Sequence, residues 1–422
     1  MRPLQGLIVM LSMLLVLLSP TAVFAEQAIS TAEEQQVEQV DGQLPELTHS
    51  GAAILIDAKS GAVLWAHNET ERLYPASITK IVTGIIALEQ SDPSDIVTVS
   101  KNARGEDGTR IYLAEGEQKP MLDLIEGMLI NSGNDAATAI AEHIDGTKEQ
   151  FAVRMNEFVH KLGLWDTNFV NPSGLPDENQ YTTAKDMAKI AQYAMQNEQF
   201  REVVSTKSKP WIGEEWESKL INHNKLLSSY EGAIGVKNGF TQAAGYTLVS
   251  AAERGDMELI GVILKGDTDS GVYKDMSQLL DYGFAHFTST MYMAADEKRT
   301  FVARDSGKPV KFTTDKPLYV TVKDGVDPTV AVDANGKVYV QSSEVYNPSE
   351  PAAAIMPIVP FAEQAEVQIA SVTNSNPLTN SDNVKSKGWS VGVTVTWSVM
   401  LLFMLLSARV MYVRQRRRRL YK

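Results

Sequence analysis

Ser77 and Lys80 are the first pair in this chain whose types and spacing could do chemistry. They fall in "YPASITKIVTGIIALE", residues 74–89. A serine hydroxyl is a poor nucleophile until a base takes its proton, and a lysine can be that base only when neutral. Three residues apart on a helix, the two lie on one face about one turn apart, close enough to touch. Burial and a second cation nearby both lower a lysine pKa, and a helix N-terminus disfavours the ammonium further while helping to hold a developing anion. The plainer reading of Ser77 is a helix cap, and this motif alone leaves that reading open.

Two later segments add to the first. "LINSGNDAA" puts Ser132-Gly133-Asn134 at a break between apolar helical segments, and "IGVKNGFTQAAGYTLV" puts Lys237-Asn238-Gly239 on a strand that turns into another strand. Each is weak alone, since Ser-x-Asn is common in loops and Lys-Asn-Gly makes a good hairpin turn. The order Ser-x-x-Lys, Ser-x-Asn, Lys-x-Gly is far less easily accidental.

The elements that must position these residues read as follows. "AAILIDA" and "AVLWAH", joined by "KSG", predict two strands with a tight turn. Ile78, Ile81, Val82, Ile85 and Ile86 recur at helical spacing and predict one buried stripe. "MLDLIEGMLI", "AATAIAEHI", "KEQFAVRMNEFVHKLGL" and "TTAKDMAKIAQYAMQ" predict further helices, the last capped by Thr182 or Thr183. "GAIGVKNGF", "GYTLVSAAE" and "MELIGVILKG" predict strands, and "SGVYKDMSQLLDYGFAHF" a closing helix. Strands, then helices, then strands predict an α+β domain over 48–290 whose sheet pairs its early and late strands. Alternating segments with turn signals, among them "DANGK", predict a small all-β domain over 294–370.

Both ends differ from the body. Residues 1–25 carry one Arg, an apolar run and then small residues, which predicts a secretory signal peptide cleaved before Glu26. Residues 26–47 predict a flexible acidic leader, and 371–388 a polar linker. Trp389–Ala408 is uncharged and matches the ~20 residues that cross a bilayer. The basic tail 409–422 that follows predicts a cytoplasmic C-terminus, with the body on the extracytoplasmic face of a single-pass membrane protein. Leaving out Arg2 and the seven basic residues of the tail, 31 basic residues face 52 acidic ones, a charge of −21. Such a body argues against nucleic acid as partner. There is no cysteine, hence no thiol nucleophile, and the six histidines are scattered without metal-ligand spacing, so neither metal nor cofactor is expected.

The ordered motifs resemble the penicillin-recognising serine enzymes, and more narrowly the low-molecular-mass D-alanyl-D-alanine carboxypeptidases of the penicillin-binding protein 5 type. "ILIDAKSGAVLWAHNETERLYPASITKIVT", "DLIEGMLINSGNDAATAIAEHI", "TNFVNPSGL", "YTTAKDMAKIA" and "NHNKLL" look like that family in its order. The resemblance covers about residues 48–370. It implies a β-lactamase/transpeptidase-like domain, an antiparallel sheet with a helical cluster, followed by a β-sandwich-like domain. It implies Ser77 as nucleophile, Lys80 as general base and Ser132 as proton relay. It implies substrate contacts from Asn134, Lys237, Asn238, Gly239 and Phe240, the last through a backbone N–H that joins that of Ser77 in an oxyanion hole. The implied partners are the D-Ala-D-Ala end of peptidoglycan stem peptides and, as inhibitors, β-lactams.

Two departures stand out. The family's third motif is usually Lys-Thr-Gly, and here Asn238 replaces the hydroxyl that helps bind the substrate carboxylate. An Asn amide can also donate a hydrogen bond, but its longer side chain could crowd the site. A non-catalytic or weakly active protein that binds or senses peptidoglycan is therefore the alternative. A β-lactamase would need a deacylating Glu in a dedicated loop, and "NPSGL" looks like the carboxypeptidase loop instead. The second departure is the anchor, since this family often ends in an amphipathic helix lying on the membrane, whereas the uncharged run here predicts a true span.

Overall fold

The computed structural model describes residues 44–341 together with 353–354 and 356–358. The expected signal segment, most of the expected leader, the expected linker and span, and the basic tail lie outside the described residues. Among the described residues no helix is long and apolar enough to cross a membrane.

Strand β1 (Ala52–Asp57) is buried along its whole length and pairs with β2 (Val63–His67). The helical part follows: α1 (Lys80–Gln90), α2 (Met121–Ile130), α3 (Asn134–Asp145), α4 (Lys148–Lys161), α5 (Ala184–Ala194) and α6 (Glu198–Ser205). Strands β3 (Ala233–Thr241), β4 (Gly245–Arg254) and β5 (Met257–Gly266) come next, then α7 (Asp269–His286). The sheet order is β2-β1-β5-β4-β3, every pair antiparallel, so the early and late strands do join, through β1 against β5.

The pleat divides the apolar residues between two cores. Ala52, Ile54 and Ile56 of β1 face the helical cluster, while Ala53 and Leu55 face α7 on the other side. The same alternation holds on β5, with Ile260 and Val262 toward the cluster and Leu259 and Ile263 toward α7. Fully burying one such side chain contributes about 1.5–3 kcal/mol. Helix α1 departs from its predicted single stripe. Every residue from Lys80 to Ala87 is buried, because the helix runs through the middle of the cluster rather than over its surface.

Local signals set the ends of these helices. Thr183, not Thr182, caps α5 by accepting from the Asp186 N–H at 3.0 Å, and Gly163 ends α4 in a left-handed turn at φ 78°. The hairpin Ser208–Ile212 with Glu217–Ile221 has no counterpart among the sequence expectations; its strands carry charged and apolar residues without clean alternation.

Helix α7 passes directly into the strand Phe287–Met293, which pairs with Leu318–Lys323 and so spans the boundary expected at 290–294. "DANGK" turns between Thr329–Val332 and Lys337–Gln341. Met293, Phe301, Phe312, Leu318, Val332 and Val338 form a separate core in this all-β part. The β1–β2 turn rests on it: Ser60 Oγ lies 2.6 Å from Thr321 Oγ1, and Lys59 Nζ sits 5.1 Å over the Tyr319 ring.

Candidate active site

Ser77 lies in a single 3-10 turn, Ala76–Thr79, that runs straight into α1 at Lys80. Neither the turn nor α1 has a side-chain cap, so Ser77 caps nothing and its hydroxyl is left for other work. The tighter turn keeps residues 77 and 80 on one face. Lys80 Nζ sits 3.2 Å from Ser77 Oγ, within the reach a base needs.

Lys80 is wholly buried and has two more partners, Asn134 Oδ1 and the Ser173 carbonyl, both at 2.6 Å. This geometry suits a neutral amine. Its two N–H groups stay on Asn134 and Ser173, and its lone pair faces the Ser77 hydroxyl. Burial, then the neighbouring charge of Lys237, hold the Lys80 pKa well below the usual lysine value, against the opposing carboxylates of Asp135 and Glu106. Lys237, buried on β3, is itself pushed down to about 7 by burial.

Two loops hold this arrangement. In "NPSGL", Asn171 Oδ1 accepts from the backbone N–H of Gly174 at 2.8 Å and so fixes the loop that offers its Ser173 carbonyl to Lys80. A Cβ on Gly174 would stand 1.9 Å from the Ala76 carbonyl oxygen, so only glycine allows the loop to lock onto the Ser77 turn. The second loop, residues 105–116, is clamped to the start of α3. Asn134 Nδ2 donates to the Asp107 carbonyl at 2.6 Å, and the Asn134 N–H to that of Thr109 at 2.7 Å. The buried Asp135 carboxylate accepts the N–H groups of Ile111 and Leu113.

Strand β3, at the edge of the sheet, closes the other side. A Cβ on Gly239 would stand 2.6 Å from the Ser77 nitrogen and 2.7 Å from Thr247 Oγ1. The absence of a side chain is what lets the strand approach Ser77. Thr247 on β4 donates to the Pro75 carbonyl at 3.0 Å and ties the turn to the sheet. Asn238 is half-buried and, by alternation, on the opposite face of β3 from Gly239. Its side chain therefore lies off the face of β3 that Gly239 presents to Ser77. Phe240 is 53% exposed, with its ring 4.5 Å from that of Tyr246.

Ser132 is buried in the break between α2 and α3, two residues before Asn134, and makes no side-chain hydrogen bond among the described residues. Three non-glycine residues around the site hold left-handed backbone: Ala76 at φ 51°, Tyr112 at 55° and Ser132 at 65°. Such conformations cost on the order of 1 kcal/mol each and concentrate where geometry serves function.

Of the groups that meet at Lys80, sequence reasoning named Ser77 and Asn134 but missed the Ser173 carbonyl, and it missed Asp135, Glu106 and Thr247 around them. His223, within "NHNKLL", was also missed; burial and the charge of Lys237 lower its pKa. An Asn that opens a Pro- and Gly-containing loop is the one signal that could have pointed to the Ser173 carbonyl. Among the described residues no cluster of side chains could hold a metal ion.

Comparison with known proteins finds relatives over much of the chain. Residues 37–268 match the family described as D-alanyl-D-alanine carboxypeptidase, peptidase family S11. The D-alanyl-D-alanine carboxypeptidase DacF of Bacillus subtilis is 34% identical over 292 residues, covering 67% of this chain and 75% of that protein. DacC of Escherichia coli is 35% identical, covering 69% of this chain and 72% of that protein. Among solved structures, penicillin binding protein 5 from Haemophilus influenzae superposes with a TM-score of 0.64 at 30% identity, over 75% of this chain and 98% of that one. A mutant of Streptomyces K15 DD-transpeptidase gives 0.55 at 30%, over 57% and 100%.

Proposed function

Because the chain belongs to the D-alanyl-D-alanine carboxypeptidase family of serine peptidases, we infer that it removes the terminal D-alanine from peptidoglycan pentapeptides through an acyl-enzyme on Ser77. The chain is a penicillin-binding serine carboxypeptidase with the α+β fold of that family. The observation that carries the assignment of Ser77 is Lys80 itself: a buried amine, depressed in pKa, with two acceptors for its N–H groups and Ser77 Oγ at 3.2 Å.

The reaction follows from that placement. Ser77 Oγ attacks the carbonyl carbon of the penultimate D-alanine while its proton passes to Lys80 Nζ. The oxyanion is met by the backbone N–H groups of Ser77 and Phe240. The C–N bond then breaks, and the leaving amine regains a proton from Lys80 by way of Ser132. Water hydrolyses the ester by the same route in reverse. Lys237 supplies positive field for the terminal carboxylate, Asn134 holds the acyl-side amide, and Asn238 donates in place of the usual threonine hydroxyl. Penicillin enters as a mimic of D-Ala-D-Ala and stops at the acyl-enzyme. Mass spectrometry of the penicillin-treated ectodomain tests this, with the adduct expected on Ser77; an adduct elsewhere overturns it.

Asn238→Thr isolates the departure in the third motif. Since the Asn238 side chain lies off the face of β3 that Gly239 presents to Ser77, D-alanine release should change by less than about tenfold. A rise from almost nothing to family-like rates would instead support a non-catalytic natural form.

We further propose that residues 1–25 direct export and that 389–408 anchor the chain in the bacterial cell membrane with its catalytic part outside. The uncharged span and its basic flank support this reading. High salt is expected to leave the protein in the membrane fraction and detergent to release it; release by salt refutes the span.

A further inference from the structure

The loop 105–116 and the hairpin Ser208–Ile221 meet beside the Ser132 break. Ile221 N–H donates to Asn131 Oδ1 at 3.2 Å, and the loop crosses the motif where the Ile111 side chain packs on Gly133. The two segments are joined by rings. Tyr112, half exposed, meets Trp216 edge-on at 5.7 Å. Its backbone neighbours Ile111 and Leu113 are both pinned to Asp135, so residue 112 is turned away from the core with φ 55°.

Two arginines stand on this shelf in different states. Arg104 is engaged by Glu215, with two nitrogens within 3.1 Å of one carboxylate oxygen. Arg110 has no carboxylate within ion-pair distance among the described residues. Among those residues it donates only to the Arg104 carbonyl, at 3.3 Å, and its guanidinium lies 5.3 Å over the Tyr112 ring. The carboxylate beneath it, Asp135, is wholly buried and taken up by backbone N–H groups. A half-buried guanidinium held over a ring, with donors left over, is a preorganised carboxylate receptor.

Its place fixes which carboxylate. On the reading above, the terminal carboxylate of the substrate is drawn to Lys237, so the rest of the stem peptide must leave on the other side, past Asn134. The wall on that side is the loop clamped to Asn134. We propose that Arg110, on the Tyr112–Trp216 shelf, is the specificity subsite for an acyl-side stem residue whose side chain ends in a free carboxylate. This rests on the carboxypeptidase reading.

The test uses two synthetic pentapeptides, identical except that this side-chain carboxylate is free in one and amidated in the other. The ratio of kcat/KM values, free over amidated, is expected to be on the order of 10-fold or more for the unaltered protein, carried mainly by KM. Arg110→Gln should bring it to within about twofold of unity. Tyr112→Leu, which removes the platform but keeps the charge, should lower it by a smaller factor, and thermal unfolding of each variant checks the fold. A ratio near unity in the unaltered protein, or one that survives in both variants, overturns the subsite while leaving the carboxypeptidase reading intact. Turnover of neither peptide by the unaltered protein overturns the activity reading itself.

Discussion

Ser77→Ala is expected to abolish acylation by penicillin and to lower kcat/KM for D-alanine release by at least ~10,000-fold, the scale seen when a serine nucleophile is removed. The loss should appear without loss of fold. Ser77 caps neither its turn nor α1 and is only partly buried, so removing its oxygen deletes one hydrogen bond, the 3.2 Å contact with Lys80. Thermal unfolding should move by no more than about 0.5 kcal/mol. Labelled penicillin, D-alanine release and a melting curve read the three expectations on one sample. Wild-type acylation in this variant would remove Ser77 from the mechanism.

Lys80→Met should cost about 1,000-fold or more in acylation while changing how stability depends on pH. The activity loss follows because no other buried amine reaches Ser77 among the described residues. For stability, the unfolded chain holds a proton on Lys80 up to about pH 10.4, whereas the folded chain releases it well below that value. Between those limits the unfolded state binds more protons, so the contribution of Lys80 rises with pH and is lost as pH falls through the folded pKa. Each unit of depression amounts to about 1.4 kcal/mol. Met fills the same space without a charge, so the variant should lose this slope and be relatively more stable at neutral pH than at pH 10. It also leaves Asn134 Oδ1 and the Ser173 carbonyl without their partner, which offsets part of the gain. Unfolding by denaturant across pH 6–10 measures the difference. An unchanged slope would mean that Lys80 is not the depressed group. Acylation by the unaltered protein should depend on both amines, needing Lys80 neutral and Lys237 charged, with the apparent pKa values belonging to the coupled pair.

What could be read in advance, and what could not, divides along a physical line. Ser77, Lys80 and Asn134 meet through their side chains, with Lys237 close by, and the short motifs that carry them are visible in a sequence. The strands were visible for the same reason: "AAILIDA" is apolar on both faces because β1 is covered on both faces. The Ser173 carbonyl acts through the backbone, where residue type carries almost no signal. Asp135 acts by binding the N–H groups of a loop more than 20 residues earlier, and nothing local marks such a pairing. The helix expected to contain Ser77 begins only at Lys80, because the turn before it is held by Gly174 and Thr247 from distant segments. Thr182 and Thr183 could not be separated by type, and only geometry chose Thr183.

Among the described residues the sheet ends on β3, with nothing paired beyond it. An exposed strand edge is ordinarily a hazard, since it will join any extended chain that reaches it. Beside Ser77 that same lack of discrimination becomes a division of labour. A peptide laid along β3 would be gripped by its main chain, so the grip cannot tell one stem peptide from another. Choice must then come from positions off the sheet. This enzyme could change its preferred cell wall by altering one loop and one hairpin, while the strand, the turn and the chemistry stay as they are.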